Sequence, residues 1–200
     1  MALPPDIYPE SGARLPAVKR EDLDEQGKQE FDLLAAHTGG ASLAGLRGPG
    51  GLNLHSPAAA VHLNSLSRYL RYESALTPRV RETAILAVAR EMDQPFEWAA
   101  HEANALKEGV PQATIDAIRQ RRPLAGLDDT DAVVIDLARQ ALVAHKVDSA
   151  LFAGARRIFG DRALVELVLL IGSYTSIAVL LTSFDVQLPP GRQNTLPPRE

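Results

Sequence analysis

Cysteine is missing from all 200 residues of the chain. Its absence rules out disulfides, thiolate nucleophiles, iron–sulfur clusters and cysteine-type zinc sites together. Aromatic residues are scarce at 5%, while hydrophobic residues reach 46%. The core must therefore be filled by Ala, Leu, Val and Ile, which suit helix bundles better than sheets. Positive charge is not in excess either: 21 Lys and Arg face 25 Asp and Glu, for a net charge of −4. No basic face is evident, which argues against nucleic acid as the main partner. No alternating run of strand length stands out. Met1 to Glu10 carries prolines and acids where a secretory signal would place lysines and an apolar run, so a cytoplasmic location is expected. One stretch, Ala163 to Leu181, is apolar enough to mimic a membrane span. It contains Glu166, Gly172, Ser173 and Tyr174 and no basic anchor follows it, so a central core helix is the better reading and no membrane is expected.

What is present is punctuation for helices, and the chain reads as all-α, with about seven or eight of them. Residues 1–19, with four prolines, read as an extended N-terminal arm, residues 20–188 as one helical domain, and 189–200 as a Pro-rich tail, exposed or draped over a neighbour. A helix is expected over Leu23 to Ala36, stopped by Gly39-Gly40. Thr38 to Leu54, rich in glycine, reads as a loop, and it lacks the strand-to-helix context of a phosphate loop. Ser56-Pro57 and Thr77-Pro78 each pair a cap with a proline at the first helical position. Pro95 opens another helix that Gly109 ends. Further helices are expected over Pro111 to Arg121, Thr130 to His145 and Ser149 to Phe159, the last closed by Gly160. Asp161 should cap the longest helix, from Arg162 to about Phe184. Arg81-Glu82 and Val165-Glu166 each place a carboxylate at the head of an apolar helix; a duplicated unit and chance both account for this.

The residues with chemical potential cluster at Glu82, Glu97, Trp98 and His101. Glu97 and His101 are four apart on a helix and share a face. If the preceding helix packs antiparallel across the short Asp93-Gln94 connection, Glu82 reaches the same face. An acid beside an imidazole fixes its tautomer and suits general acid/base chemistry. The same spacing also describes an ordinary surface pair. The three groups could alternatively hold a divalent ion, but His101 has no second His at zinc-helix spacing, so neither metal nor cofactor is expected.

The run Leu76 to Ala89, followed by Phe96-Glu97-Trp98-Ala-Ala-His101, resembles the carboxymuconolactone decarboxylase family, which shares its fold with the alkylhydroperoxidase D proteins. The resemblance extends through His55-Ser56-Pro57, Arg68 to Glu73, Glu166 to Tyr174 and Phe184-Asp-Val. It implies an alkylhydroperoxidase D-like bundle, assembled as a trimer or hexamer. In the peroxidase branch a glutamate and a histidine relay protons to a Cys-x-x-Cys pair. Glu82 and His101 match that relay, while the cysteine positions fall on Gln94 and Glu97, so the thiolate that would attack a peroxide is missing. The decarboxylase side is what the acid/base half implies. His101 is then the proton donor, Glu82 orients it, and Glu97 is either a general base or a charge that repels a substrate carboxylate. Arg71, Arg79 and Arg81 are candidates to clamp a small carboxylate or lactone substrate. Trp98 is expected to wall the pocket or an interface, and His55 is a weaker binding candidate. Gln94 and Pro95 depart from the decarboxylase pattern, which points to a different substrate or to hydration, isomerisation or lactone opening.

Overall fold

The computed structural model describes residues 3–36 and 45–198. These residues form eight α-helices and no strand, with one isolated antiparallel bridge between Tyr8 and Ala13. The helices are α1 (Glu25–Ala35), α2 (Pro49–Asn53), α3 (Pro57–Arg68), α4 (Pro78–Glu91), α5 (Pro95–Lys107), α6 (Gln112–Arg119), α7 (Asp129–Arg139) and α8 (Ser149–Ser183). This is the all-helical, alkylhydroperoxidase D-like bundle that the sequence implies.

Helix α4 is the hub. It packs against α5, α7 and α8, and from Glu82 to Glu91 every one of its residues is buried. A helix buried on all sides needs small and branched side chains around its whole circumference, and the Thr-Ala-Ile-Leu-Ala-Val-Ala run supplies them. Its start follows the sequence signal: Thr77 accepts a hydrogen bond from the Val80 N–H and Pro78 occupies the first turn. Ser56 and Pro57 open α3, although the Ser56 side chain makes no capping bond. At α5 the cap is Gln94, whose side-chain oxygen accepts from the Phe96 N–H. Its amide donates to Thr182 at the far end of α8, so the capping residue also ties the α4–α5 turn to the last helix.

Three expectations need correction. The glycine-rich segment is not loop throughout, because Pro49–Asn53 forms α2 with Pro49 at its start; Gly39 and Gly40 lie outside the described residues. The break expected at Gly160 is present, since its φ of 70° and ψ of 173° leave the helical region and divide α8 into two helical halves. Asp161 does not cap the second half, since its carboxylate accepts from Arg156 instead. The tail is draped over its own chain: Leu196 is buried in a cluster with Trp98, Ile115 and Ile118, and the Pro197 carbonyl accepts from Arg90.

Two π-helical turns extend helices. Gln140–Ala144 prolongs α7 and ends at His145 in the left-handed region. Tyr69–Glu73 prolongs α3. The latter is clamped by Glu166 of α8, which accepts from the Tyr69 hydroxyl at 2.6 Å and from the Ala75 N–H at 2.8 Å. A π turn inserts one residue into the helical ladder and re-aims the side chains beyond it. The clamp holds both ends of that insertion.

Helix α8 is long and apolar enough to cross a membrane by length and composition. One stripe, through Ala163, Leu167, Leu170, Tyr174, Ala178 and Leu181, is buried in the core. Val165, Val168, Leu169 and Val179 are exposed.

Candidate active site

The antiparallel packing of α4 on α5 brings the acid/base residues together. Only Met92, Asp93 and Gln94 separate α4 from α5, and Asp93 adopts φ of 47°, so the two helices run back along each other. Glu82, near the start of α4, and His101, midway along α5, thus meet. His101 Nδ1 lies 2.8 Å from Glu82 Oε2. On the other ring nitrogen, Nε2 lies 3.7 Å from Glu97 Oε2. All three residues are no more than 7% exposed, so this is not a surface pair.

The ring is held from a third direction by α8. Tyr174 meets His101 edge to face, with ring centroids 5.3 Å apart and planes at 85°. Glu82 therefore fixes Nδ1 as the N–H donor to a carboxylate, and Nε2 is left to face Glu97 and the space beyond it. Burial pushes the Glu97 carboxyl upward; nearby His101 and Arg71 oppose the shift and Glu82 reinforces it. Burial also pushes the Tyr174 phenol upward, with Arg71 acting against it.

That space is an open cleft of about 1310 Å³. Helices α2, α3, α5 and α8 and the π turn all contribute to its lining, with Glu97, His101, Tyr174 and Arg71 among the residues that face it. Most of the remaining surface is apolar or small: Leu63, Phe96, Ala100, Gly172 and Ile177 are representative. Glu82 does not reach the cleft, and touches it only through His101.

The structure separates the other expected site residues. Arg71 lines the cleft. Arg79 instead makes a two-pronged pair with Asp131 of α7, at 3.1 and 2.7 Å, and Thr114 adds a third bond to that buried carboxylate. Arg81 donates to the Leu76 carbonyl at 2.8 Å. Neither arginine lines the cleft, because the first turn of α4 points them toward α7 and the preceding loop. Trp98 is fully buried on the opposite face of α5 from the cleft, where its N–H donates to Glu102 at 3.1 Å and the Arg119 guanidinium covers its ring. It belongs to the core and not to the pocket wall. His55 is exposed, hydrogen-bonded to the Pro16 carbonyl, and borders a separate small cavity of about 150 Å³.

Glu166, the echo of Glu82, serves the π turn and not the imidazole. As for metals, the two acids sit on opposite nitrogens of His101, so one ion could not take all three groups. Among the described residues no cluster of three or more His, Asp or Glu is arranged to hold a metal. Sequence reasoning gave Tyr174 no site role, although a lone tyrosine interrupting an apolar core helix is the kind of signal that marks a wall residue.

The model of the carboxymuconolactone decarboxylase family matches residues 57–139. No curated protein matches the chain. The matched segment runs from the start of α3 to the end of α7, and takes in Arg71, Glu82, Glu97 and His101 but not Tyr174. At the level of the family, it supports a function of the carboxymuconolactone decarboxylase or alkylhydroperoxidase D kind. Over residues 57–139, then, this cysteine-free chain is similar to the carboxymuconolactone decarboxylase family.

Proposed function

We propose that the protein is a cofactor-free lyase that releases CO₂ from a small unsaturated lactone acid or oxo-acid. The observation that carries this reading is the buried 2.8 Å contact between Glu82 and His101 beside a cleft lined by Arg71 and Glu97. Loss of CO₂ leaves the C–C bonding pair on carbon. A substrate with an adjacent carbonyl or lactone delocalises that pair as a dienolate, so no external electron sink is needed. The protein has to position the acid, stabilise the oxyanion and return a proton to carbon. His101 as imidazolium delivers that proton from Nε2 and is recharged from solvent. Glu82 stabilises the imidazolium and holds the ring in place. Arg71 binds the substrate's anionic group. Glu97, beside His101 Nε2 on the cleft lining, is the second acid–base group there. The peroxidase alternative has no thiol with which to attack a peroxide.

The protein is proposed to be cytoplasmic and to self-assemble as a trimer or hexamer; the exposed Val165, Val168, Leu169 and Val179 along α8, the last three of which also line the cleft, support a subunit contact beside it.

A panel of unsaturated lactone acids and oxo-acids, followed by CO₂ release, tests the proposal. At least one acid should be turned over, and His101→Gln should lower that rate by about a hundredfold or more with the melting temperature unchanged. If no acid is turned over, or the variant keeps the wild-type rate, the lyase assignment is wrong and a non-catalytic binding protein remains.

A further inference from the structure

Tyr174 and Arg71 are both anomalous within this protein. Tyr174 is 5% exposed and lines the cleft, yet its hydroxyl makes no hydrogen bond to any described residue. A buried tyrosine hydroxyl ordinarily finds a partner, as Tyr69 does with Glu166. Arg71 also lines the cleft. Arg79, Arg119, Arg121 and Arg139 each reach a carboxylate, whereas Arg71 reaches none among the described residues. Among the described residues its one specific contact is with the ring of Tyr72, 5.4 Å away, and that tyrosine is itself exposed. A cation and a hydroxyl donor thus line one cleft without acceptors among the described residues.

Their placement is enforced. The edge-to-face contact with His101 fixes the Tyr174 ring, and the Glu166 clamp fixes the π turn that carries Arg71. Both side chains line the same cleft as His101. Because burial keeps the phenol protonated, Tyr174 is a donor at neutral pH and not a base. Glu97, the acid on the same lining, is pushed by burial toward its neutral form and so offers reduced opposition to an incoming anion.

We infer that Arg71 and the Tyr174 hydroxyl together form the seat for one oxyanion of a small planar monocarboxylate or its enolate, held within reach of His101. The inference rests on the acid/base reading for its purpose, and it adds to it a residue on α8 and a ligand class. Tyr174 would be a binding and oxyanion-stabilising residue, selecting an anion over a neutral molecule of the same shape.

Binding of sodium benzoate and of benzamide, its neutral isostere, is measured by saturation-transfer NMR and calorimetry on the full chain. Wild-type protein should bind benzoate at least about tenfold more tightly than benzamide, as expected for a charge-assisted hydrogen bond. Tyr174→Phe and Arg71→Gln should each weaken benzoate about tenfold and leave benzamide unchanged. Equal affinity for the two probes, or wild-type benzoate affinity in a variant that melts normally, would overturn the seat. Arg71 adds nothing to the apolar core, so Arg71→Gln keeps the test decisive even if Tyr174→Phe folds poorly. Turnover is not read here. A silent acid panel with selective benzoate binding therefore removes the lyase and keeps the seat, whereas His101-dependent turnover without selectivity does the reverse.

Discussion

Replacing Glu82 by glutamine removes a charge while leaving an oxygen for His101 Nδ1–H to donate to. The hydrogen bond spans 2.8 Å between side chains about nine-tenths buried, where a charged partner is worth about 1.5–3 kcal/mol. That energy acts on the imidazolium and not on bound substrate, because Glu82 does not line the cleft. At about 1.36 kcal/mol per factor of ten, kcat should fall roughly 10- to 150-fold with KM unchanged. Steady-state kinetics of CO₂ release from the acid identified by the panel give both constants. A double-mutant cycle sharpens the test: Glu82 acts through His101, so the Glu82→Gln/His101→Gln variant should be no slower than His101→Gln alone. The reasoning fails if Glu82→Gln raises KM at constant kcat. It also fails if the double variant is slower than His101→Gln by the full factor of the single change.

Glu97 makes stability depend on pH in a direction opposite to most carboxylates. Its carboxyl is raised by burial above the ordinary 4.5, so the folded chain binds a proton that the unfolded chain has already lost. Its contribution is fully favourable below about 4.5 and is lost as pH rises through the folded value. Thermal melts from pH 4 to 8 should show Glu97→Gln gaining on the wild type as pH rises, and a constant difference would refute the assignment. Gly160→Ala tests the bend in α8: at φ of 70° and ψ of 173° an alanine Cβ meets no neighbour within 4 Å, so the cost is purely one of backbone strain. A loss of about 1–3 kcal/mol by denaturant titration is expected, and an unchanged midpoint would mean that the bend straightens freely.

The elements legible in the sequence are those whose signals are local. Thr77-Pro78 and Pro95 mark helix starts through fixed φ and missing donors, and the structure begins α4 and α5 there. The Glu97–His101 spacing specifies one helix face, and a turn at Met92–Asp93 forces α5 back along α4, so the third member, Glu82, followed from connectivity. Which arginine faces the cleft did not follow. Arg71, Arg79 and Arg81 look alike in sequence, and their fates were set by Asp131, by the Leu76 carbonyl and by a π turn. Asp131 lies 52 positions from Arg79, and the π turn has no sequence signature of its own. Trp98 sits one residue from Glu97 yet faces away, because neighbours on a helix are about 100° apart. Helix α2 is five residues long and carries too few apolar positions to display a period.

The burial of Trp98 has an optical consequence. It is the chain's sole tryptophan, enclosed with Leu86, Ile115 and the tail residue Leu196 on the side of α5 away from the cleft. Its emission therefore records the integrity of the α4–α6 layer and the docking of the C-terminal strap, and it stays dark to events at His101. Ligands of this protein have to be sought with signals of their own, while peeling away of the tail announces itself without any label.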